Sequence, residues 1–333
     1  MIKEIYMELY TKYLGLDLKS PLIAGSSNLT YSVDNLKEIE KAGAGAVVLK
    51  SLFEEEIYLE HSSELKKLGP MGDNLEFLDY FDVEIRKENL SKYLKLIADA
   101  KKALTIPVIA SINCVSAREW IQFASKIEAA GADALELNLF ILPSDVKRNH
   151  QEVEDIYLEV IRKVTGTVRI PVSVKISPYF SDLGRTITTL SLENIHGLVL
   201  FNRFYHPDID VEDEKMKSAP VLSAPHDYVT PLRWIGMLSS RIPCDLSAST
   251  GVHDWQTVVK LLLAGAKTVQ MVSLLYEKGF SVIADLNNQI LTWMERRNYD
   301  SLADFRGKLA LGNKVNPAEW ERMQFMKTFG EYK

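Results

Sequence analysis

The sequence predicts a (β/α)8 barrel, because two short signals recur where apolar segments begin. Ala-Gly-Ala and Ile-Pro each occur three times between a helix-like stretch and a short apolar run. A glycine just past a helix favours a left-handed cap, whereas a proline ends a helix and can still begin a strand. Helix, stop and strand, repeated along a chain, is the pattern of a parallel sheet with crossover helices. The signals lie at 42–44, 130–132, 264–266, 106–107, 170–171 and 242–243.

Two further apolar runs bring the predicted strands to eight. Most are nearly continuous apolar runs, as expected for parallel strands buried on both faces. Apolar residues at helical spacing predict the helices between them. Residues 8–18 alternate weakly around Gly15, and we expect a hairpin there that closes the bottom of the barrel. The strands are predicted at 21–26, 46–50, 108–113, 134–139, 172–177, 197–202, 245–250 and 268–273, with helices at 91–104, 152–164, 255–263 and 280–296.

The length of 333 residues predicts one barrel domain over 1–333, since eight strand–helix units need about 250 residues. Two connections are far longer than usual, 51–90 after the second strand and 203–231 after the sixth. Both follow strand ends, so we expect them over the mouth of the barrel. Long loops there act as lids, ligand walls or subunit contacts.

Composition excludes several function classes. The net charge is −6 without a basic cluster, which argues against nucleic-acid binding. No apolar stretch reaches the roughly 18 residues of a membrane span. The two cysteines have neither metal-ligand spacing nor a disulfide framework. We therefore expect a cytoplasmic protein with a small-molecule substrate and no metal.

Polar residues stand at the predicted strand ends and would form a ring around one mouth. Barrel enzymes bind their substrates at this face. An asparagine amide both donates and accepts hydrogen bonds, so three of them suit a planar, polar ligand. Glu136 lies two residues inside the ring. The ring consists of Ser26, Lys50, Asn113, Asn138, Lys175, Asn202, Thr250, Gly251 and Ser273.

A phosphate site is predicted between the last two strands. Thr250 and Gly251 follow the seventh strand and precede a helix that begins near Asp254, and Ser273 follows the eighth. Barrels often bind phosphate between these loops through backbone N–H groups and a helix N-terminus. Gly251 would let the backbone approach an anion closely, although a plain turn glycine is the alternative.

These motifs give the chain a family resemblance. PLIAGS at 21–26, VLKS at 48–51, ELNL at 136–139, VKISP at 174–178 and SLADFRGKL at 301–309 resemble dihydroorotate dehydrogenases. Among dihydroorotate dehydrogenases, the soluble class 1 enzymes are similar to this chain. A divergent branch, the dihydroorotate dehydrogenase-like proteins, is more similar, because it shares LFNRFY at 200–205 and PDID at 207–210.

The resemblance implies an FMN-dependent homodimer that oxidises dihydroorotate to orotate in pyrimidine biosynthesis. It implies that Lys175 sits by the electron-rich end of the flavin, where a cation tunes the cofactor. Lys50 would lie near both flavin and substrate and is a catalytic candidate. The implied FMN ligands are Gly25, Ser26, Lys50, Asn113, Lys175, Thr250, Gly251 and Ser273. The implied substrate ligands are Lys50, Met71, Gly72, Asn138, Asn202 and Arg203.

The sequence departs from the family where a proton must be removed. The family's Cys or Ser base comes three residues after the strand-four asparagine, and here that position is Ile141. Ser144 or Asp145 could accept the proton if the loop rearranges, and the alternative is that Asp145 caps the next helix. Arg203 replaces a usual Ser or Thr. It could clamp a substrate carboxylate, or pair with Asp208 or Asp210.

Three other functions stay open at this point. The first keeps FMN and takes a different unsaturated substrate. The second is a lyase or aldolase that uses Lys50 or Lys175 as a Schiff-base amine. The third is a flavin-binding barrel that has lost its proton acceptor and catalyses nothing.

Overall fold

The computed structural model describes residues 9–53, 75–114, 117–203, 207–218, 220–312 and 320, with the backbone alone over 75–87 and 117–119. The strands are β1 (Thr11–Tyr13), β2 (Leu16–Leu18), β3 (Leu22–Ala24), β4 (Ala46–Val48), β5 (Leu52–Phe53), β6 (Val108–Asn113), β7 (Ala134–Asn138), β8 (Val172–Ile176), β9 (Gly197–Leu200), β10 (Pro207–Asp210), β11 (Lys215–Ser218), β12 (Asp245–Ser249) and β13 (Thr268–Met271). The α-helices are α1 (Val33–Lys41), α2 (Leu75–Ala103), α3 (Ala117–Ala129), α4 (His150–Thr165), α5 (Leu183–Ser191), α6 (Val229–Leu238), α7 (Trp255–Ala264), α8 (Ser273–Lys278) and α9 (Val282–Arg297).

Eight parallel strands close into a barrel, which confirms the predicted fold class. β3 pairs with β13 on one side and β4 on the other, and β4 continues to β6. The order then runs through β7, β8, β9 and β12 back to β13. Each barrel strand lies inside one of the predicted ranges. The short strand β5 was not predicted, and it extends the β6 edge opposite Ile112 and Asn113.

The glycine signals act as the sequence predicts. Gly43, Gly131 and Gly265 follow α1, α3 and α7 with φ of 94°, 94° and 113°. Such φ values strain any residue with a Cβ, so glycine ends these helices and turns the chain toward the next strand. Asp254 caps the start of α7, because its side chain accepts a hydrogen bond from Thr257 N at 2.7 Å.

The predicted hairpin closes the bottom of the barrel. β1 and β2 pair antiparallel, and the side chains of Tyr13 and Leu14 are buried. Leu14 N donates to Asp245 Oδ2 at 2.9 Å, which ties the turn to the start of β12. A Cβ on Gly197 would lie 2.6 Å from Leu14, so the missing side chain lets the hairpin enter the barrel.

The structure corrects the two long connections. The helix α2 begins at Leu75, so residues 75–90 are helical rather than part of a loop, and residues 54–74 lie outside the described residues. The second connection contains an antiparallel hairpin of β10 and β11. The helix α6 begins at Val229, two residues before the predicted end of this connection at residue 231, because Pro231 is tolerated in the first turn of a helix. Within the described ranges, none of the helices is long and apolar enough to span a membrane.

Candidate active site

A cavity of about 630 Å³ opens at the C-terminal ends of the strands, and we call it the mouth cavity. A smaller pocket of about 140 Å³, the inner pocket, shares the side chains of Lys175, Asn202 and Arg203 with it. Ser26 and Ser273 also line both. The strand-end side chains therefore face one continuous cleft. The mouth cavity is lined by Ser26, Ser27, Asn28, Lys50, Ser51, Phe53, Asn138, Phe140, Lys175, Asn202, Arg203, Val221, Leu222, Val272, Ser273 and Tyr276.

Lys175 carries a buried ammonium at the floor of the cleft. It lies at the end of β8 and is 6% exposed. Lys175 Nζ donates to Gln270 Oε1 at 3.1 Å, and Gln270 Nε2 donates to Glu136 Oε2 at 2.7 Å. Glu136 Oε1 lies 3.9 Å from Lys175 Nζ and has no hydrogen-bond partner among the described residues. A buried charge needs a partner, and Glu136 supplies it while Gln270 holds both groups.

Asn138 and Asn202 form a linked pair of amides on one wall. Asn202 Nδ2 donates to Asn138 Oδ1 at 2.7 Å, and Asn202 Oδ1 accepts from Arg203 N at 2.9 Å. These bonds fix the orientation of both amides. Asn138 lines the mouth cavity, and its register partner across β7 and β8 is Lys175.

Arg203 does not pair with Asp208 or Asp210, which corrects that expectation. Its Nε lies 3.5 Å from Asp227 Oδ2. Its Nη1 donates to the backbone oxygens of Pro220 and Val221 at 3.1 and 2.7 Å. Asp208 and Asp210 instead lie 3.8 and 3.6 Å from Lys217 Nζ, across the hairpin. Arg203 therefore holds residues 220–227 against the mouth.

The predicted phosphate loops meet at the inner pocket. Thr250 has φ of 82° and donates from Oγ1 to Phe201 O at 3.0 Å, which holds this strained turn in place. Gly251 has φ of 75°, and a Cβ there would lie 2.1 Å from Tyr228 N. Gly251 therefore allows a close approach of the backbone of the loop before α6, and its contact with an anion stays a prediction.

Three residues of this region were not predicted from the sequence. Ser223 Oγ lies 3.0 Å from Ser273 Oγ, 3.2 Å from His253 Nε2 and 3.3 Å from Gly251 N. His253 Nδ1 lies 3.3 Å from Glu277 Oε2. The three come from separate segments with no local motif, so only the folded chain brings them together. The one signal of this site in the sequence was the histidine that follows Gly251 and Val252.

On the neighbouring wall, hydroxyl groups link the segments after β3 and β4 to β6. Ser26 Oγ accepts from Ser51 N at 2.8 Å, and Ser51 Oγ lies 2.7 Å from Ser111 Oγ. Gly25 N donates to Met271 O, and a Cβ on Gly25 would lie 2.9 Å from Val272. Because Gly25 has no side chain, the end of β3 can lie close to β13. Gly25 itself does not line either pocket among the described residues.

Lys50 and Asn113 differ in their positions. Lys50 lines the mouth cavity, and its ammonium lies 5.5 Å from the centroid of the Tyr31 ring. Asn113 is half-buried at the end of β6, opposite Phe53. It is Phe53, rather than Asn113, that lines the cavity. Met71 and Gly72 lie outside the described residues.

The loop after β7 turns away from the cleft. Ile141 packs on the hydrophobic core, and its N–H donates to the Tyr157 hydroxyl at 3.3 Å. Burial raises the pKa of Tyr157 to about 12, so this hydroxyl is no base at neutral pH. Ser144 and Asp145 are exposed and line none of the pockets described above.

Asp145 does not cap the next helix, which corrects the alternative reading. Its Oδ1 accepts from Lys147 N at 2.9 Å and closes a local turn. The cap of α4 is Asn149, which accepts from Glu152 N at 3.0 Å while Glu152 accepts from Asn149 N at 2.8 Å. This reciprocal pair is a capping box.

Comparison with known proteins agrees with this arrangement. The family model described as dihydroorotate dehydrogenase matches residues 8–294. The chain is 26% identical over 313 residues to "Dihydroorotate dehydrogenase B (NAD(+)), catalytic subunit" of Thermoplasma acidophilum, covering 90% of this chain and 98% of that protein. It is also 26% identical over 319 residues to the protein of the same name in Pyrococcus furiosus, with the same coverage. The match runs through all eight barrel strands and the polar cleft above them, and so the chain belongs to the dihydroorotate dehydrogenase family.

Proposed function

We propose that this chain is an FMN-dependent oxidoreductase that converts dihydroorotate to orotate in pyrimidine biosynthesis. One observation carries the proposal beyond family membership. A buried ammonium, Lys175, faces a cleft that has paired amides on one side and phosphate-type loops on the other. That distribution suits a flavin mononucleotide lying across the mouth with a planar, anionic substrate stacked on it.

The residues fit FMN in size and in chemistry. The mouth cavity, about 630 Å³, falls within the range of ligand and cofactor pockets, about 300–1,000 Å³, and the inner pocket adds about 140 Å³. Thr250, Gly251 and Ser273 would hold the phosphate at the start of α7 and α8. Ser26 and Lys175 would hold the ring system, with Lys50 beside it. When bound, FMN supplies the hydride acceptor of the reaction.

The substrate would be held by groups that match its amides and its carboxylate. Asn138 and Asn202 have fixed orientations, so they can donate to and accept from the edge of a pyrimidine ring. Lys50 and Arg203 both line the mouth cavity and can neutralise a carboxylate. Gln270 and Glu136 hold the Lys175 ammonium at the floor of the cleft in a fixed orientation. Such oriented charge costs no reorganisation during the reaction.

The proton acceptor remains a prediction. Ile141 has no basic group, so the proton must pass to another side chain or to water. Ser144 and Asp145 would serve only after residues 141–149 fold over the mouth. Because of Ile141, a second candidate function keeps the same FMN chemistry and takes a different substrate with an oxidisable CH–CH bond.

Steady-state oxidation tests the proposal. The full chain is incubated with FMN, dihydroorotate and either NAD⁺ or a dye acceptor, and orotate is measured by chromatography. Dihydrouracil, which lacks the carboxylate, is the matched control substrate. Orotate formation at a rate well above that of dihydrouracil turnover supports the proposal. Binding of FMN without orotate formation would favour the second candidate function.

We further propose a cytoplasmic homodimer. The two described cysteines are free thiols, as expected in a reducing compartment. The hairpin of β10 and β11 exposes Ile209, Val211 and Met216 at 59%, 77% and 68%. Apolar side chains grouped in this way favour a protein contact. Light scattering of the purified chain would test the dimer, and a monomer mass at micromolar concentration would contradict it.

A further inference from the structure

We propose that His226 accepts the proton that leaves the substrate, a role that Ile141 cannot perform. His226 lies in the loop between β11 and α6, on the other side of the mouth from the segment after β7. The inference rests on the proposed function and adds a catalytic residue to it.

Oxidation of a CH–CH bond divides its two hydrogens between two acceptors. One hydrogen leaves as a hydride with two electrons, for which the proposed FMN is the acceptor. The other leaves as a proton, which a base must take. The electron pair of that C–H bond enters the new C=C bond, and the proton binds the unprotonated ring nitrogen of His226. Because His226 is exposed, the ring can then release the proton to water.

The first observation is that the two cavities described above contain no group of this kind. Imidazoles and carboxylates are the usual proton acceptors near neutral pH. Among the described residues, no histidine, aspartate or glutamate lines the mouth cavity or the inner pocket. Lys50 and Lys175 supply ammonium groups, which donate hydrogen bonds and accept none. Glu136 lies below the floor and is 1% exposed.

The second observation is a third cavity of about 280 Å³, which we call the side pocket. It shares Asn202 and Arg203 with the mouth cavity, and it is also lined by His226 and Asp227. A sphere of this volume is about 8 Å across, so His226 can reach a substrate edge held at Asn202 directly or through one water. The side pocket therefore brings an imidazole to the substrate wall of the mouth.

The third observation separates His226 from Asp227. Asp227 Oδ2 accepts from Ala224 N at 2.9 Å and lies 3.5 Å from Arg203 Nε, so its charge is already paired. The His226 ring has no hydrogen-bond partner in the part of the chain that the structure describes. Its nitrogens are therefore available to a substrate. The other titratable groups that line the side pocket are Tyr179, Arg203 and Asp227, and the charges of the last two offset each other.

The fourth observation is that the backbone around His226 is held in place on both sides. Before it, Arg203 Nη1 donates to Val221 O at 2.7 Å. After it, Val229 N donates to His226 O at 3.2 Å, at the start of α6. A general base needs a defined position, and this loop supplies one.

Anaerobic stopped-flow mixing of the FMN-loaded chain with dihydroorotate tests this role. We expect His226→Ala to slow flavin reduction about 100- to 10,000-fold, the usual contribution of a general base. Added imidazole should restore the rate at least about tenfold, because it can occupy the vacated space and accept the proton. The dissociation constants of FMN and of orotate, measured by fluorescence quenching, should stay within about twofold of the wild-type values.

The pH dependence of flavin reduction gives a second readout. The wild-type rate should rise with pH and then level off, because the acceptor must be unprotonated. His226→Ala should lose this rise. His226→Gln accepts no proton and fills the space of the ring, so its rate should fall as in His226→Ala and should not recover with imidazole.

The matched control is His150→Ala. His150 is exposed at the start of α4 and lines none of the three cavities. This variant should keep the wild-type rate, its pH dependence and both dissociation constants.

Each outcome has one meaning. Rates within about threefold of wild type in both His226 variants would overturn the inference and would leave Asp145 or water as the acceptor. A rate loss in His226→Ala that imidazole does not restore would show a structural role and overturn it as well. A wild-type chain that binds FMN but is not reduced by dihydroorotate would refute the proposed function, and this inference with it. A rate loss with imidazole rescue and unchanged dissociation constants supports the inference.

Discussion

The two sides of the barrel mouth are built differently. Above β12 and β13, Ser223, His253, Ser273 and Gly251 join three loops through contacts of 3.0–3.3 Å. Above β7, the loop of residues 141–149 makes mainly local contacts, and its Val146 is 98% exposed. The chain thus has a densely connected side above β12 and β13, where we propose that the cofactor binds, and a sparsely connected side above β7, where the resemblance places Ile141 at the position of the base.

Under the proposed function, this difference separates cofactor binding from proton removal. Flavin binding uses many weak contacts from several strands, so replacing one glycine or serine leaves the rest in place. Proton removal depends on one group at one position, and the resemblance implies that Ile141, which has no basic group, occupies that position. Variants on the two sides should therefore differ sharply in their effects.

The largest effect is expected from Lys175→Met. The change leaves Glu136 buried without its cation, which should lower the free energy of unfolding by about 3 kcal/mol. Loss of the oriented charge should slow flavin reduction about 100- to 1,000-fold. Urea denaturation and anaerobic stopped-flow absorbance measure the two effects.

The double variant Lys175→Met/Glu136→Gln separates stability from chemistry. It removes the unpaired carboxylate, so we expect most of the stability to return while the rate stays low. Recovery of the rate would show that Lys175 acts only by neutralising Glu136.

A smaller effect is expected from Gly251→Ala, with Gly279→Ala as its matched control. The two glycines have φ of 75° and 74°, but only Gly251 has a neighbour, Tyr228 N, at 2.1 Å from the added Cβ. Gly279 has ψ of −179°, a conformation that nearly only glycine adopts, so Gly279→Ala should cost about 1–3 kcal/mol of stability from backbone strain alone. Gly251→Ala should cost more and should also weaken FMN binding, because the loop before α6 must move. If the two variants lose the same stability and the same FMN affinity, the close approach at Gly251 does not shape the site.

Arg203→Lys should have a moderate effect on substrate binding. Lysine keeps the charge but lacks the planar fork that contacts Pro220 O, Val221 O and Asp227. We expect KM for dihydroorotate to rise about tenfold, with kcat within a factor of about three. Asp227→Asn keeps the guanidinium and should not raise KM. A fall in kcat alone would argue against a role of Arg203 in binding.

The smallest effect is expected from Asp145→Asn. The carboxylate is exposed, and the asparagine Oδ1 can still accept from Lys147 N. We expect kcat to change less than about threefold, since surface substitutions away from the site have small effects. A loss of about 100-fold or more would identify Asp145 as the base and would require the loop to close over the mouth.

The barrel was predictable because its signals are local. Gly43, Gly131 and Gly265 end helices because they adopt positive φ values. Such a glycine can be recognised in the sequence from its few neighbouring residues alone. The polar ring was predictable for the same reason, since Asn138, Lys175 and Asn202 each end a strand. The helical residues 75–90 were missed, because their apolar residues do not repeat at a clear helical spacing.

Contacts between loops were not predictable. Arg203 has Asp208 and Asp210 a few residues away in the sequence, yet it pairs with Asp227, because the hairpin of β10 and β11 directs the nearer carboxylates toward Lys217. Ser223, His253 and Glu277 come together only when two loops and the helix α8 meet above the barrel. Such pairings depend on tertiary closure rather than on spacing.

Anaerobic mixing of the FMN-loaded protein with dihydroorotate tests the proposed reaction most directly. The absorbance band of oxidised flavin in the blue region of the visible spectrum should bleach rapidly and completely. This result would show that the protein transfers a hydride from dihydroorotate to FMN despite Ile141. An FMN band that stays unchanged with saturating dihydroorotate would contradict dihydroorotate oxidation. A protein that takes up no FMN at all would contradict the cofactor site as well.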